Sequence, residues 1–244
     1  MGNMAKDLQP LDVLAFGAHP DDVEIGAGGT IHQWVKMGKS VGICDLTQGE
    51  LSSNGTVERR EQEGKKAGEI LGIQCRIQLG LPDRGLRQEK EQLDAISRVI
   101  RIYRPAVLLI PHHKDRHPDH VQCNRMINEA AFNGKIRRYE LLDDHGQALP
   151  AHNIKNIFTY FINSSSQPGF YIDISEEIEQ KMAALGAYAS QFEKKEGSVS
   201  TPLTEGYLER VRAREYTFGQ EIGVSYAEGF DHVTPLQLKG NFPW

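Results

Sequence analysis

The sequence predicts an α/β fold, a Rossmann-like, doubly wound, mostly parallel sheet with helices on both faces. Three observations carry this expectation. Short apolar runs alternate with longer helical patterns through the first half of the chain. The runs at 13–16 and 106–110 are brief and continuous, as in strands buried on both faces. Each then runs into a polar cluster, at the strand end where open α/β sheets bind ligands.

The first strand, 13–16, is bounded by Gly17 and followed by Ala-His19-Pro20-Asp21-Asp22. A helix is expected over 25–37, with Asp22 near its N-terminus, where a carboxylate is favoured. Gly26, Gly28 and Gly29 weaken that helix. They serve either close packing on the sheet or room for a substrate. A second strand over 40–46 leads into a loop rich in Gly, Ser and Asn, whose polar groups, Glu50 and Ser53 among them, are placed to reach a ligand. The helix at 57–71 has Thr56 as its N-cap. Arg60 and Glu63 share its face. They form a surface ion pair of small worth, or Arg60 turns inward to hold an anionic or polyhydroxy ligand. A third strand over 74–79 ends at a turn containing Asp83, a turn former or a hydroxyl acceptor. A helix over 88–103 follows, with Leu93, Ile96, Val99 and Ile100 at helical spacing. The fourth strand ends in His112-His113-Lys-Asp-Arg-His117-Pro118-Asp119-His120, and a helix continues over 121–132. Strand order 3-2-1-4 would bring the two polar clusters face to face. Beyond them we expect a loop or flap over 133–153 and strands over 154–162 and 170–174. Next come a helix opened by Ser175 and running to 192, a helix over 204–218, and an irregular return over 226–232.

The chain has 244 residues, 39% hydrophobic and 25% charged, with no repeat and no composition break, so one domain over 1–244 is expected. A formal net charge of −5 argues against nucleic acid as the partner. Residues 1–9 read as a polar, frayed start. No secretory leader and no bilayer-length apolar run are seen, so a cytoplasmic protein without membrane contact is expected. Cys44, Cys75 and Cys123 form no C-x-x-C pair and read as reduced thiols.

Nucleotide binding fails in detail. G-x-G-x-x-G and the P-loop are absent, and Asp21, Asp22 and Glu24 stand where a pyrophosphate would need N–H donors. No G-x-S-x-G elbow supports a serine hydrolase. H-P-D-D after one buried strand and H-P-D-H after another instead form a metal-site pattern. His19, Asp22 and His120 supply two nitrogens and a carboxylate and leave a position open, the usual arrangement for catalytic zinc. Asp21 is then free as base toward a metal-bound water, and His117 to stabilise an oxyanion or protonate a leaving amine. Asp119 is free to orient His117. This grouping suits amide hydrolysis. The same ligands fit a non-heme iron oxygenase, or a non-catalytic metal- or sugar-binding module. Oxygen consumption separates the oxygenase, and an Asp21→Asn variant without phenotype separates the module.

With Ala18-His-Pro-Asp-Asp-Val-Glu24 and His117-Pro-Asp-His120 in view, the chain resembles the PIG-L/LmbE-like zinc deacetylase superfamily. Its loop Thr47–Val57, Arg60-x-x-Glu63, Leu79–Asp83, Tyr188-Ala-Ser-Gln191 and Tyr226–Phe230 resemble the bacillithiol-pathway branch, which deacetylates N-acetylglucosaminyl-malate. The resemblance implies zinc, or iron(II), on His19, Asp22 and His120, with Asp21 as base and His117 as acid or oxyanion stabiliser. It also implies Arg60 and Asp83 as substrate contacts, a small amino-sugar conjugate as substrate, and a homo-oligomer, hexamer or trimer. Cys123-Asn124 stands where superfamily members often have a Gly, a departure in helix packing.

Overall fold

The computed structural model describes residues 10–164, 167–233 and 235, so the expected frayed start at 1–9 lies outside the described residues. The strands are β1 (Val13–Gly17), β2 (Val41–Asp45), β3 (Cys75–Gln78), β4 (Val107–Pro111), β5 (Asn156–Tyr160), β6 (Phe170–Asp173) and β7 (Ala227–His232). The helices are α1 (Asp22–Lys36), α2 (Val57–Leu71), α3 (Lys90–Tyr103), α4 (Pro118–Lys135), α5 (Ile178–Gly186), α6 (Ala189–Phe192) and α7 (Tyr207–Ile222). Among the described residues the strands form one sheet, ordered β3-β2-β1-β4-β5-β7-β6. The first five run parallel. β7 lies antiparallel between β5 and β6. The doubly wound α/β expectation and the 3-2-1-4 order are both met.

Strand β1 shows why both faces are covered. Val13 and Ala15 join the core on the side of α1, α2, α5 and α7, whereas Leu14 and Phe16 join that of α3 and α4. Burying side chains of this size stabilises the fold by roughly 1.5–3 kcal/mol each for the larger ones. The glycines of α1 serve packing. A Cβ on Gly26 would collide with the Tyr160 ring, which is itself held by a 2.6 Å bond from its hydroxyl to the Phe16 carbonyl. Asn124 takes the place of the expected small residue and donates to the Pro111 carbonyl at 2.8 Å, tying α4 to the end of β4. All three cysteines are free thiols, Cys44 and Cys123 buried and Cys75 half-buried.

Several expectations are corrected. The segment after Ser175 is two helices rather than one. Ser175 caps neither. Its hydroxyl donates to Asp173, and Glu177 is the N-cap of α5. The last helix lies about three residues later than expected. The 226–232 segment is a regular strand, because its one inward charge, Glu228, has partners. Glu228 accepts the Gly29 and Thr30 N–H groups of α1 at 2.9 and 2.8 Å, and the Lys181 ammonium at 2.6 Å. Of the expected 133–153 loop, 133–135 instead complete α4, and 136–153 is loop apart from one bridge, held by Arg101, whose guanidinium donates to the Gly134, Ile136, Tyr139 and Leu149 carbonyls.

Lys181 is fully buried and also donates to Glu215 at 2.6 Å. Arg214 donates to the same Glu215 oxygen at 2.7 Å and to the Ile25 carbonyl at 2.8 Å. This cluster joins α1, α5, α7 and β7. Lys181→Met leaves two buried carboxylates against one guanidinium, so we expect a loss of about 3–5 kcal/mol in urea unfolding. Burial pushes the Glu215 carboxyl up, but Arg214 and Lys181 outweigh it and hold it below its usual 4.5. Its stabilisation is therefore complete above about pH 4.5 and is lost as the pH falls through the lowered native value. Glu215→Gln is expected to flatten the acid limb of the urea midpoint.

Candidate active site

Parallel pairing sets Val13 opposite Val107 and Ala15 opposite Leu109, so the turns that follow β1 and β4 emerge side by side. The Thr47 hydroxyl, after β2, donates to the Ala18 carbonyl at 2.9 Å and braces the first turn. In the second, His117 is the N-cap of α4 and Pro118 opens the helix. His19 and His120, remote in sequence, have ring centroids 5.6 Å apart.

Asp22 stands between these rings. Its Oδ1 is 3.1 Å from His120 Nε2, and its Oδ2 is 3.5 Å from His19 Nδ1. The outer nitrogens also meet carboxylates. His19 Nε2 lies 3.3 Å from Asp83 and 3.6 Å from Asp119, and His120 Nδ1 lies 3.1 Å from Asp115. Burial disfavours charge on His120, but Asp22 and Asp115 outweigh it and push the ring up to about 9. His19 is raised the same way by Asp119, Asp22 and Asp83 against burial. Burial pushes Asp22 up, and the two imidazoles bring it well below the usual carboxylate range.

Among the described residues, two groups each have their ligand atoms within 4.8 Å of one another: His19, His117 and His120, and His19, Asp83 and Asp119. The second is occupied by hydrogen bonds. Arg84 donates to both Asp119 oxygens at 2.8 and 2.9 Å, and the Leu51 N–H donates to Asp83 at 3.1 Å. The first group, with Asp22 between its rings, fits a divalent cation. Its imidazole nitrogens and carboxylate oxygen are donors that zinc or iron(II) accepts.

Asp21 has φ 109°, a conformation that costs a non-glycine residue about 1–3 kcal/mol. Arg60 holds it there by donating to the Pro20 carbonyl and to Asp21 Oδ2, the latter at 3.1 Å. Gly49 makes room for that guanidinium, since a Cβ there would collide with Arg60 Nη1. Burial pushes Asp21 up to about 7, against the pull of Arg60. His117 stacks on His120 with centroids 4.6 Å apart, and its Nδ1 accepts the Asp119 N–H at 3.3 Å. That bond leaves the proton of the neutral ring on Nε2. Burial, then His120 and His19, keep His117 below its usual value.

His19, Asp21, Asp22, Arg60, Asp83, His117, His120 and Ser53 all line one cleft of about 520 Å³. Arg60 is only 5% exposed, and its partner is Asp21, which decides against a surface pair with Glu63. Glu63 instead pairs with Arg59 and accepts from Ser190. Three expectations change. Glu50 does not line the cleft, because its carboxylate accepts the Asp83 N–H at 2.7 Å. The Asp83 carboxylate is engaged with His19 and Leu51. The Asp119 carboxylate faces Arg84 and His19, and only its backbone N–H meets His117. Sequence reasoning missed Asp115, Arg116, Asn163 and Tyr207. The first two stand directly before the H-P-D-H motif and were findable there. Asn163 and Tyr207 enter from segments with no local signal.

Comparison with known proteins points to one family of enzymes. A family profile described as GlcNAc-PI de-N-acetylase, PIG-L, matches residues 14–131, the span that holds both motifs. Diacetylchitobiose deacetylase of Thermococcus kodakarensis is 31% identical over 239 residues, covering 93% of this chain and 84% of that protein. A probable N-acetyl-alpha-D-glucosaminyl L-malate deacetylase 2 of Bacillus cereus is 29% identical over 195 residues, covering 74% and 84%. A solved structure of a conserved protein from Thermus thermophilus, 35% identical, superposes with a TM-score of 0.85 over 96% of this chain and 100% of that one. These relatives do not single out the bacillithiol branch, and the two named as deacetylases do not favour an oxygenase or a non-catalytic module. Likeness along nearly the whole chain, joined to two motifs that meet at the β1–β4 edge, establishes that this chain belongs to the PIG-L family of deacetylases.

Proposed function

We propose that this chain hydrolyses the N-acetyl group of an N-acetylglucosamine conjugate, with His19, Asp22 and His120 holding zinc or iron(II). The observation that carries this reading is the single cleft in which a carboxylate bridges two imidazoles while Asp21 and His117 stand beside it. The cation supplies Lewis-acid activation of water and of the amide carbonyl. Asp21, locked by Arg60, takes the proton of the attacking water. The water oxygen bonds to the acetyl carbon, the carbonyl becomes a tetrahedral oxyanion, and the C–N bond then breaks as the proton held by Asp21 passes to the leaving nitrogen. His117 donates a hydrogen bond from Nε2 to the developing oxyanion or to the leaving nitrogen. Asp83 and Asp119 hold His19 from its outer nitrogen.

For the substrate, N-acetylglucosaminyl-malate of bacillithiol biosynthesis is our reading. It is supported by a second cavity of about 340 Å³ that adjoins the cleft and is lined by Arg116 and Arg210, with Arg214 on the same wall already paired to Glu215. Guanidinium groups there suit an anionic aglycone. The Thermococcus relative, named for a neutral disaccharide, supports diacetylchitobiose as the second reading.

Asp21→Ala is expected to keep its metal, measured by atomic emission, and to lose amine release by about 10²–10⁴-fold. His120→Ala is expected to lose the metal, and full occupancy there would contradict the ligand assignment. Assayed on both substrates, Arg116→Ala should raise KM at least about tenfold for the malate conjugate, the worth of one charge-assisted contact, and less for the disaccharide. Equal effects, with wild-type preference for the disaccharide, would move the assignment to the second reading.

A further inference from the structure

We propose that Asp115 is a positioning residue for His120, holding its Nδ1–H so that Nε2 is aimed at Asp22 and the metal. This rests on the reading of His120 as a ligand. The two nitrogens of the His120 ring face opposite carboxylates, each at 3.1 Å, Asp22 inside and Asp115 outside. Among the described residues no other carboxylate lies within 4.0 Å of Nδ1.

Asp115 is itself fixed. Its side chain is 3% exposed. Its Oδ1 accepts the His117 N–H at 2.8 Å and an Asn163 side-chain N–H at 3.1 Å, and its Oδ2 accepts the Asn163 backbone N–H at 3.0 Å. Three donors outside the ring therefore set the carboxylate before His120 meets it. A carboxylate so placed selects the tautomer with Nε2 free to ligate, prevents a ring flip, and strengthens the imidazole as a donor. It also couples the metal side to the rest of the cleft, since Asn163 Oδ1 accepts from Arg116 at 3.2 Å.

The test is the affinity of the full chain for Zn²⁺, by competition with a chromophoric chelator, together with the visible spectrum of the Co²⁺-loaded protein. Asp115→Ala is expected to bind Zn²⁺ about 10–100-fold more weakly and to shift the cobalt bands, with the thermal midpoint of the metal-free protein used to score folding. Asp115→Asn keeps an oxygen for Nδ1–H without the charge and is expected in between, a graded rescue that a purely structural staple would not give. If Asp115→Ala does not fold, Asp115→Asn decides, and wild-type affinity with an unshifted spectrum overturns the proposal. His120→Ala separates the two layers. If it retains Zn²⁺ at wild-type affinity, the ligand reading itself is wrong. If it loses Zn²⁺ while both Asp115 variants match wild type, only the positioning role is wrong.

Discussion

The parallel pairing of β1 with β4 is the constraint on which the site depends. Both strands are buried on both faces, and their alternate residues are committed to different helical layers. Slipping the pairing by one residue would send Leu14 and Phe16 toward the wrong layer, so packing fixes the register. Once it is fixed, the turn carrying His19, Asp21 and Asp22 and the turn carrying Asp115, His117 and His120 have one place to go. The active-site geometry is in this sense a by-product of core packing two strands below it.

The second constraint is charge. Asp21, Asp22, Glu24 and Asp45 are all buried near the same sheet edge, which would be prohibitive without cations. Arg60 answers Asp21, the imidazoles answer Asp22, and Arg76 answers both Glu24 and Asp45, each at 2.6 Å. Burial still pushes Asp45 up to about 6 against Arg76. Tyr188 closes this layer by donating to Glu24 at 3.0 Å. The Tyr188–Gln191 motif is therefore a brace. Ser190 donates to Glu63, and Gln191 donates to the Asn54 carbonyl and accepts from Ser52, holding the 47–56 loop over the cleft.

Much of this was legible along the chain, and the failures share a cause. The β1 and β4 runs, the two histidine motifs and the Thr56 cap are local patterns that need no knowledge of the fold. Strand β7 was not legible, because an inward glutamate contradicts a strand pattern until its lysine partner, from a helix elsewhere, is known. Glu50 and Asp83 were sensibly placed at the sheet edge, but the sequence cannot say that loop residues will bond each other before they reach a ligand. Arg60 shows the same limit. Its helical spacing from Glu63 is real, yet its partner is set by where Pro20 and Asp21 turn.

Local patterns along the chain were enough for the α/β class and for the residue types able to bind a cation and move a proton, whereas the 3-2-1-4 strand order was a supposition that the sheet bears out. The class and the residue types follow from hydrophobic period and from motif chemistry, both local. Tertiary structure alone decided which carboxylate meets which imidazole nitrogen, that Arg60 faces Asp21, and that Asp115 backs His120. Those pairings join residues from separate turns and helices, and their directions are set by backbone geometry and the packing of layers, which no spacing along a chain encodes.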